Sequence, residues 1–234
     1  DSLVFSVVVK SATSVAGGGG ADTMVFNSSV SGAHISLDSG ADSVSFVTTV
    51  AGSTTLHGGN GSGSQTVQFS SAADLVSFDG TFAAGSVMGG SGNDTVVFLN
   101  GAAVAASSTV KLEAGADSLT FNGNTVSGQF GAGAGDDYIG GSITVGTSHV
   151  SFWGGSGNDT FSFSTITGSA SGTAYFWNEA GTDSIVLGNV VSSAGGPGVN
   201  FGVTSGSSLN ISFVTNQTSA QFGTGISNAF DVHN

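Results

Sequence analysis

The chain has no cysteine, a single proline and only two basic residues, Lys10 and Lys111, among 234. The absence of cysteine excludes disulfides and thiol catalysis. The net charge of −13 disfavours binding to nucleic acids, which requires a basic surface, and to anionic membranes. No run of 18 apolar residues is present, so we expect no membrane-spanning helix.

Glycine is abundant instead, with 40 residues, yet 38% of the chain is hydrophobic and 17 residues are phenylalanine. Glycine-rich composition alone is compatible with disorder. Apolar residues at regular positions favour a packed core, and we therefore expect a folded chain.

The chain repeats one pattern: a glycine-rich stretch, an aspartate, a serine or threonine, an apolar residue, any residue and a phenylalanine. Two copies follow it in full, GGSGNDTVVF from Gly89 and GGSGNDTFSF from Gly154. The aspartates of all copies are Asp1, Asp22, Asp42, Asp74, Asp94, Asp117, Asp137, Asp159 and Asp183. Most are 20 to 24 residues apart, and the 32-residue gap contains a copy at Gln65 that has lost the acid, nine residues before Asp74. A fixed period of this length is typical of one coil of a solenoid.

Each aspartate precedes a strand pattern, because the residues two and four places later are apolar and the residue directly after it is polar. Parallel stacking at about 4.8 Å would bring the phenylalanines into one column in a shared core. Apolar stretches halfway between the copies, such as 33–37 and 174–176, predict return strands. The sequence therefore predicts an all-β fold, a single elongated parallel β-solenoid (β-roll or β-helix) with one coil per repeat.

Such stacking also places one carboxylate above another. Unit charges roughly 5 Å apart repel by about 3 kcal/mol at an effective dielectric constant of about 20, and two lysines cannot neutralise a column of them. A divalent cation between adjacent coils would do so, and oxygen-only ligands favour Ca²⁺. The candidate carboxylate ligands are Asp22, Asp38, Asp42, Asp74, Asp94, Glu113, Asp117, Asp136, Asp137, Asp159, Glu179 and Asp183.

The residue four places before the aspartate varies between two types. It is acidic at Asp38, Glu113 and Glu179, and it is glycine at Gly18, Gly90 and Gly155. We expect the two kinds of loop to share each ion, one through an extra carboxylate and the other through backbone carbonyls that glycine allows to turn inward. The alternative is that the aspartates are turn formers whose side chains accept backbone N–H bonds.

GGSGNDTVVF and GGSGNDTFSF resemble the GGxGxDxUx calcium motif of RTX proteins, whose repeats form parallel β-rolls. The resemblance covers residues 1–190 and implies several calcium ions between successive turns. It makes Asp94 and Asp159 the best ligands, in loops shaped by Gly89, Gly90, Gly92, Gly154, Gly155 and Gly157. RTX motifs recur every nine residues and line both edges of the roll, whereas most copies here are a whole coil apart. We therefore expect a calcium ladder on one edge only, as in S-layer and surface-filament proteins with RTX-like repeats.

No enzyme is expected, because the chain has no HExxH or GxSxG pattern. Carboxylate pairs such as Asp38 and Asp42 could be a glycosidase pair, but their recurrence suits a structural ladder better. Trp153 and Trp177 precede loops, where they would either cover the end of the core or act as platforms for a sugar. Candidate glycan attachment points are Asn27, Asn93, Asn158, Asn210 and Asn216.

We expect two regions, calcium-binding repeats in 1–190 and motif-free strands in 191–234 that continue or cap the solenoid and offer a subunit contact. Asp1 lies halfway through a copy of the motif and no capping helix is predicted, so the ends would be open to strand addition. The resulting hypothesis is a structural subunit of an extracellular fibre or surface layer of a bacterium, joined end to end and rigidified by calcium. The alternative is a repeat segment of a large RTX-like adhesin or carbohydrate-binding surface protein.

Overall fold

The computed structural model describes residues 1–213 of the chain except 38, 52–53, 58–64, 80, 83–84, 101–102, 169–171, 193–197 and 204–207. Over these residues the secondary structure consists of strands, turns and bends. Within the same part of the chain, no helix is long and apolar enough to cross a membrane. The all-β prediction is confirmed.

The strands are short in the N-terminal coils and long in the C-terminal ones. In chain order they are β1 (Ser2–Phe5), β2 (Ser14–Ala16), β3 (Thr23–Phe26), β4 (Val30–Ser31), β5 (His34–Ser36), β6 (Ser43–Phe46), β7 (Val50–Ala51), β8 (Thr54–His57), β9 (Thr66–Gln68), β10 (Leu75–Asp79), β11 (Thr81–Phe82), β12 (Ser86–Met88), β13 (Thr95–Phe98), β14 (Ala103–Val104), β15 (Thr109–Ala114), β16 (Ser118–Ala134), β17 (Tyr138–Ser156), β18 (Thr160–Gly168), β19 (Thr173–Asn178), β20 (Thr182–Ser192), β21 (Gly198–Val203) and β22 (Ser208–Phe213). The longest two, β16 and β17, each bend from one side of the fold to the other.

Two walls of parallel strands enclose the core, which confirms the parallel β-solenoid. The first wall contains β1, β3, β6, β9, β12 and β15, then the second halves of β16 and β17, then β19 and β21. The second wall contains β2, β5, β8, β10 and β13, then the first halves of β16 and β17, then β18, β20 and β22. The parallel pairing therefore continues through β21 and β22 beyond the last copy of the motif.

The walls are joined at two edges, which we name by the direction of the chain. At the first edge the chain passes from the second wall into the first, and the loops there end at Asp22, Asp42 and Gln65. At the second edge it passes from the first wall into the second. The corresponding residues there are Val9, Val30 and Val50, followed by Asp74, Asp94, Asp117, Asp137, Asp159 and Asp183.

The acids therefore occupy both edges, and the expectation that they line a single edge is wrong. Gln65 and Asp74 flank β9, so the chain crosses only one wall between them. The nine-residue step is thus half a coil, and it moves the motif from the first edge to the second.

The same shift divides the phenylalanines into three stacks rather than one column. Phe5, Phe26, Phe46 and Phe69 stack in the first wall with ring centroids 4.7, 5.2 and 6.3 Å apart. Phe78, Phe98 and Phe121 stack in the second wall at 5.1 and 5.3 Å. Return strands of the first wall then supply Phe130, Phe152, Phe176 and Phe201 at 5.5, 5.4 and 5.8 Å. Phe121 of the second stack contacts Phe130 of the third with ring centroids 5.1 Å apart, and the buried residues of all three stacks belong to one continuous core.

Candidate metal centre

Each motif forms a six-residue loop at an edge, and we number its positions 1 to 6 with the aspartate at position 6. Position 2 is a glycine with positive φ in four loops, at Gly18, Gly90, Gly133 and Gly155. Position 4 is a positive-φ glycine in seven loops, at Gly20, Gly40, Gly92, Gly115, Gly135, Gly157 and Gly181. These conformations are rarely open to residues with a side chain, which accounts for the glycine-rich half of the motif.

Successive loops are hydrogen-bonded to one another through their backbones. Gly92 N–H donates to the Ala114 carbonyl at 2.8 Å, and Ala114 N–H donates to the Gly90 carbonyl at 3.1 Å. The contact at position 4 is so close that a Cβ added to Gly115 would lie 1.7 Å from the Gly92 carbonyl oxygen. Backbone-to-backbone stacking therefore requires glycine at position 4 in the loops that lie on a preceding loop, whereas Gly20, in the first loop, has no such contact.

The position-6 aspartates point inward and are buried, with at most 4% of each residue exposed. They are Asp22, Asp42, Asp74, Asp94, Asp117, Asp137, Asp159 and Asp183. Predicted ligands of this group are thus brought into two aligned stacks, one at each edge.

One carboxylate oxygen of each stacked aspartate is used by the backbone. At the second edge the N–H groups of Asp74, Asp94, Asp117, Asp137 and Asp159 each donate to Oδ1 of the aspartate in the next coil, at 2.7 to 3.0 Å. At the first edge, Asp22 N–H donates to Asp42 Oδ1 at 3.0 Å. The alternative of aspartate as an acceptor of backbone N–H bonds is confirmed for this oxygen.

The other oxygen, Oδ2, is buried and has no hydrogen-bond partner in Asp22, Asp94, Asp117, Asp137, Asp159 and Asp183. Asp74 differs, because its Oδ2 accepts hydrogen bonds from Ser70 N–H and Oγ, both at 2.9 Å. A buried charged oxygen without a partner is costly. Six such oxygens in two aligned stacks require a compensating group that the hydrogen bonds of the described residues do not supply.

The space beside Oδ2 depends on position 1 of the loop. A Cβ added to Gly17, Gly89 or Gly154 would lie 2.8, 2.7 or 2.1 Å from Oδ2 of the aspartate in the same loop. Gly17 was not among the predicted site residues, although it is the first glycine of a GG pair, and that pair recurs in the two full copies of the motif. Glycine at position 1 leaves room next to the carboxylate.

Burial shifts the acidity of these carboxyls. Desolvation raises the pKa of Asp94 and Asp159 to about 7 and that of Asp117 to about 6; backbone hydrogen bonding opposes the shift, and neighbouring carboxylates add to it. Desolvation also raises the pKa of Asp137 and Asp183. Near neutral pH the carboxylates of the second-edge stack can therefore be neutralised either by protons or by another positive charge.

The additional predicted acids lie outside the buried stacks. Glu113 and Glu179 are exposed at position 2, and Glu113 has a φ of 76° where four other loops have glycine. Asp136 is exposed at position 5, and its Oδ1 accepts Asn158 N–H at 2.7 Å. Asp38 lies outside the described residues.

Position 5 forms a second ladder that the sequence reasoning missed. Asn93 Oδ1 accepts Ala116 N–H at 2.9 Å, and Asn158 Oδ1 accepts Thr182 N–H at 3.0 Å. Each position-5 side chain accepts a hydrogen bond from the following coil, whereas Oδ1 of each buried aspartate accepts one from the preceding coil. The recurrence of Asn or Asp before the aspartate in Asn93, Asp136 and Asn158 was the signal in the sequence.

A cation at these stacks would be held by few carboxylates and several carbonyls. In the described part of the chain, no three His, Cys, Asp or Glu residues are close enough to form a metal site by themselves. The available donors are the Oδ2 atoms and the loop carbonyls, such as those of Gly90 and Gly155, each of which accepts one backbone hydrogen bond and retains a second lone pair. An all-oxygen donor set of this kind fits Ca²⁺ rather than zinc or copper.

Comparison of the chain with protein-family models, with curated proteins and with solved structures finds no match.

Proposed function

We propose that the protein is a structural subunit of an extracellular fibre or surface layer of a bacterium, and that calcium bound between successive coils folds and rigidifies it. The observation that carries the proposal is the buried Oδ2 atoms of Asp94, Asp117, Asp137, Asp159 and Asp183, which are aligned at the second edge and have no hydrogen-bond partner.

Side-chain ion pairs cannot neutralise the aspartate stacks, because the chain has two basic residues against 15 acidic ones. Calcium would bind through Oδ2 of aspartates such as Asp94 and Asp159, with loop carbonyls completing its oxygen ligands. It would supply the positive charge that the buried second-edge carboxylates lack.

Calcium binding would be coupled to folding. The carboxylates are aligned only when the coils are stacked, so a cation that binds them stabilises the folded chain selectively. Each independent site contributes about 2.7 kcal/mol at a free calcium concentration 100 times its Kd. A chain that folds only when calcium is plentiful would remain unfolded in a cell interior and fold outside it.

The first strand, β1, is the candidate contact for assembly. Among the described residues, β1 has a strand partner on one side only, and its Val4 is 60% exposed. In the proposed assembly this strand pairs with another copy of the chain, and head-to-tail contacts that do not close produce a fibre.

The experiment compares Asp159→Asn with the neighbouring-loop control Asp136→Asn by urea denaturation, in millimolar calcium and in excess chelator. Asparagine keeps the Oδ1 acceptor but removes the charge. We expect Asp159→Asn to lower the free energy of unfolding in calcium, and to leave it unchanged or raise it by on the order of 1 kcal/mol in chelator, where only the cost of a buried charge is removed.

Asp136→Asn should behave like the unsubstituted chain in both conditions, because Asp136 is exposed and the amide oxygen can still accept Asn158 N–H. Far-UV circular dichroism of the unsubstituted chain provides the direct readout, with strand signal lost in chelator and restored by calcium. An identical spectrum and denaturation midpoint with and without calcium would contradict the proposal.

A further inference from the structure

A groove of about 630 Å³ lies on the outer face of the first wall, and one end of it adjoins the outer side of the second-edge loops. Lys111 and Trp153 form its sides, and Gly131 and Gly133 contribute its floor. The side chains around it alternate along the strands with the buried core residues, so the groove faces solvent.

The groove exists because one side chain is missing from an outward-facing column. The strand register places Lys111, Gly131, Trp153 and Trp177 side by side in consecutive coils. A Cβ added to Gly131 would have the Val110 carbonyl oxygen, 4.0 Å away, as its nearest neighbour. Lys111 and Trp153 are two strand spacings apart, roughly 9.6 Å, with open space between them.

The lining combines one aromatic surface with hydrogen-bonding groups of both kinds. Trp153 provides a large apolar face. Thr109 and Gln129 offer a hydroxyl and an amide, and Lys111 provides a cationic donor, on the coils that precede Trp153. Glu113 and Glu179 add carboxylate acceptors at the end nearest the second edge.

We infer that this groove binds a neutral oligosaccharide of pyranose units. The C–H groups on one face of a pyranose carry partial positive charge and pack against the negative face of an indole. Its hydroxyl groups both donate and accept hydrogen bonds, which matches an amide, a hydroxyl and carboxylates around an apolar platform.

Charge selects a neutral ligand over an anionic one. The two glutamates at one end of the groove, on a chain of net charge −13, repel uronic acids and sulfated sugars, and Lys111 is the single basic residue in the lining. The volume is within the range of sites that bury small ligands, about 300–1,000 Å³, which accommodates a short stretch of a longer glycan.

The test is titration of the chain, in calcium-containing buffer, with cellohexaose, laminarihexaose and chitohexaose, followed by tryptophan fluorescence and calorimetry. The chain has two tryptophans, so Trp177→Ala leaves Trp153 as the sole reporter. Trp177 does not line the groove and is 39% exposed, so this variant also serves as the matched control for loss of an outer indole. We expect it to bind within twofold of the unsubstituted chain and to show a shift of its fluorescence on binding.

Two variants should lose binding. Trp153→Ala removes the platform, and we expect affinity to fall roughly tenfold or more. Gly131→Val fills the groove at a position with ordinary backbone conformation and free space for a Cβ, and valine suits a strand. This variant should keep the circular dichroism spectrum and lose binding, which separates a blocked groove from a misfolded chain.

Failure of all three hexasaccharides to bind would overturn the inference, as would a Gly131→Val chain that binds like the unsubstituted one. Self-association of the chain that Gly131→Val abolishes, without sugar binding, would assign the groove to a second copy and also overturn it. The calcium dependence of the circular dichroism spectrum is measured without sugar, so failure of the groove and failure of the proposed structural role are distinguishable.

Discussion

At the scale of the residue, each buried aspartate uses its two oxygens differently. Oδ1 is part of a backbone ladder, so it holds adjacent coils in register in the way an additional N–H···O bond would. Oδ2 has no such role in Asp94, Asp117 and Asp159. Residue type alone suggested both uses, as turn former and as metal ligand, but only the strand register reveals that one side chain offers both.

The raised pKa values lead to a prediction about pH in the absence of calcium. The pKa of Asp94 and Asp159 rises from an ordinary value of 3.8 to about 7, and that of Asp117 to about 6, mainly because of burial. Below pH 3.8 the folded and unfolded chains are both protonated at these groups, so the contribution to stability is fully present there. It is lost as the pH rises through the folded pKa values, because the unfolded chain then releases protons that the folded chain retains.

We therefore expect the free energy of unfolding in chelator to fall by on the order of 2 kcal/mol or more between about pH 4 and pH 7. The measurement is urea denaturation across that range. In saturating calcium the trend should weaken or reverse, because the ion binds the ionised carboxylates. Stability in chelator that increases with pH over this interval would show that the carboxylates are not buried as described.

At the scale of the element, the loop is shaped by the approach of the neighbouring coil. Glycine positions were predicted from the motif, but their reasons differ. Position 1 leaves room beside Oδ2, as at Gly89. Position 4 allows backbone contact between coils. A periodic motif does not reveal which of these causes applies, because the causes depend on atoms one coil away.

Gly115→Ala provides the test of this explanation. Gly115 has a φ of 150°, and its added Cβ would lie 1.7 Å from the Gly92 carbonyl oxygen. We expect a loss of roughly 3 kcal/mol or more, since the backbone must move and the residue is strained. Gly131→Ala is the matched control with free space for its Cβ, and it should change the free energy of unfolding by less than about 1 kcal/mol. Equal effects of the two substitutions in urea denaturation would contradict close stacking of the loops.

At the scale of the whole molecule, the architecture was more predictable than the placement of the acids. The period predicted the coil, and alternation predicted strands with one buried face, because both depend on neighbours along the chain. The change of edge between Gln65 and Asp74 was visible as a nine-residue step, but the return strands had to be recognised as full partners before that step could be interpreted as half a coil. The phenylalanine stack that begins at Phe130 was not predicted for the same reason, because its residues lie on the return strands of the first wall.

The proposed end-to-end assembly leads to a prediction at β1. The carbonyls of Asp1 and Phe5 accept N–H groups of Thr23 and Asn27 on one side of the strand. In a parallel ladder alternate residues bond to opposite neighbours, so the N–H of Val4 points to the open side. Val4→Pro removes that donor without removing a bond to β3, and proline is tolerated on edge strands. We expect it to abolish the growth of assemblies in millimolar calcium, measured by light scattering and electron microscopy.

Val4→Thr is the control, because it replaces one methyl group of a residue that is 60% exposed by a hydroxyl, yet keeps the N–H and the β-branched shape that strands favour. If association depends on backbone pairing, Val4→Thr assembles and Val4→Pro does not. If it depends on the apolar surface alone, both substitutions weaken it to a similar degree. A Val4→Pro chain that assembles as readily as the unsubstituted one would show that β1 is not part of the contact. An unsubstituted chain that stays monomeric in calcium would contradict the proposed fibre. The open edge of a single strand thus connects the hydrogen-bonding pattern of the solenoid to the role proposed for the molecule.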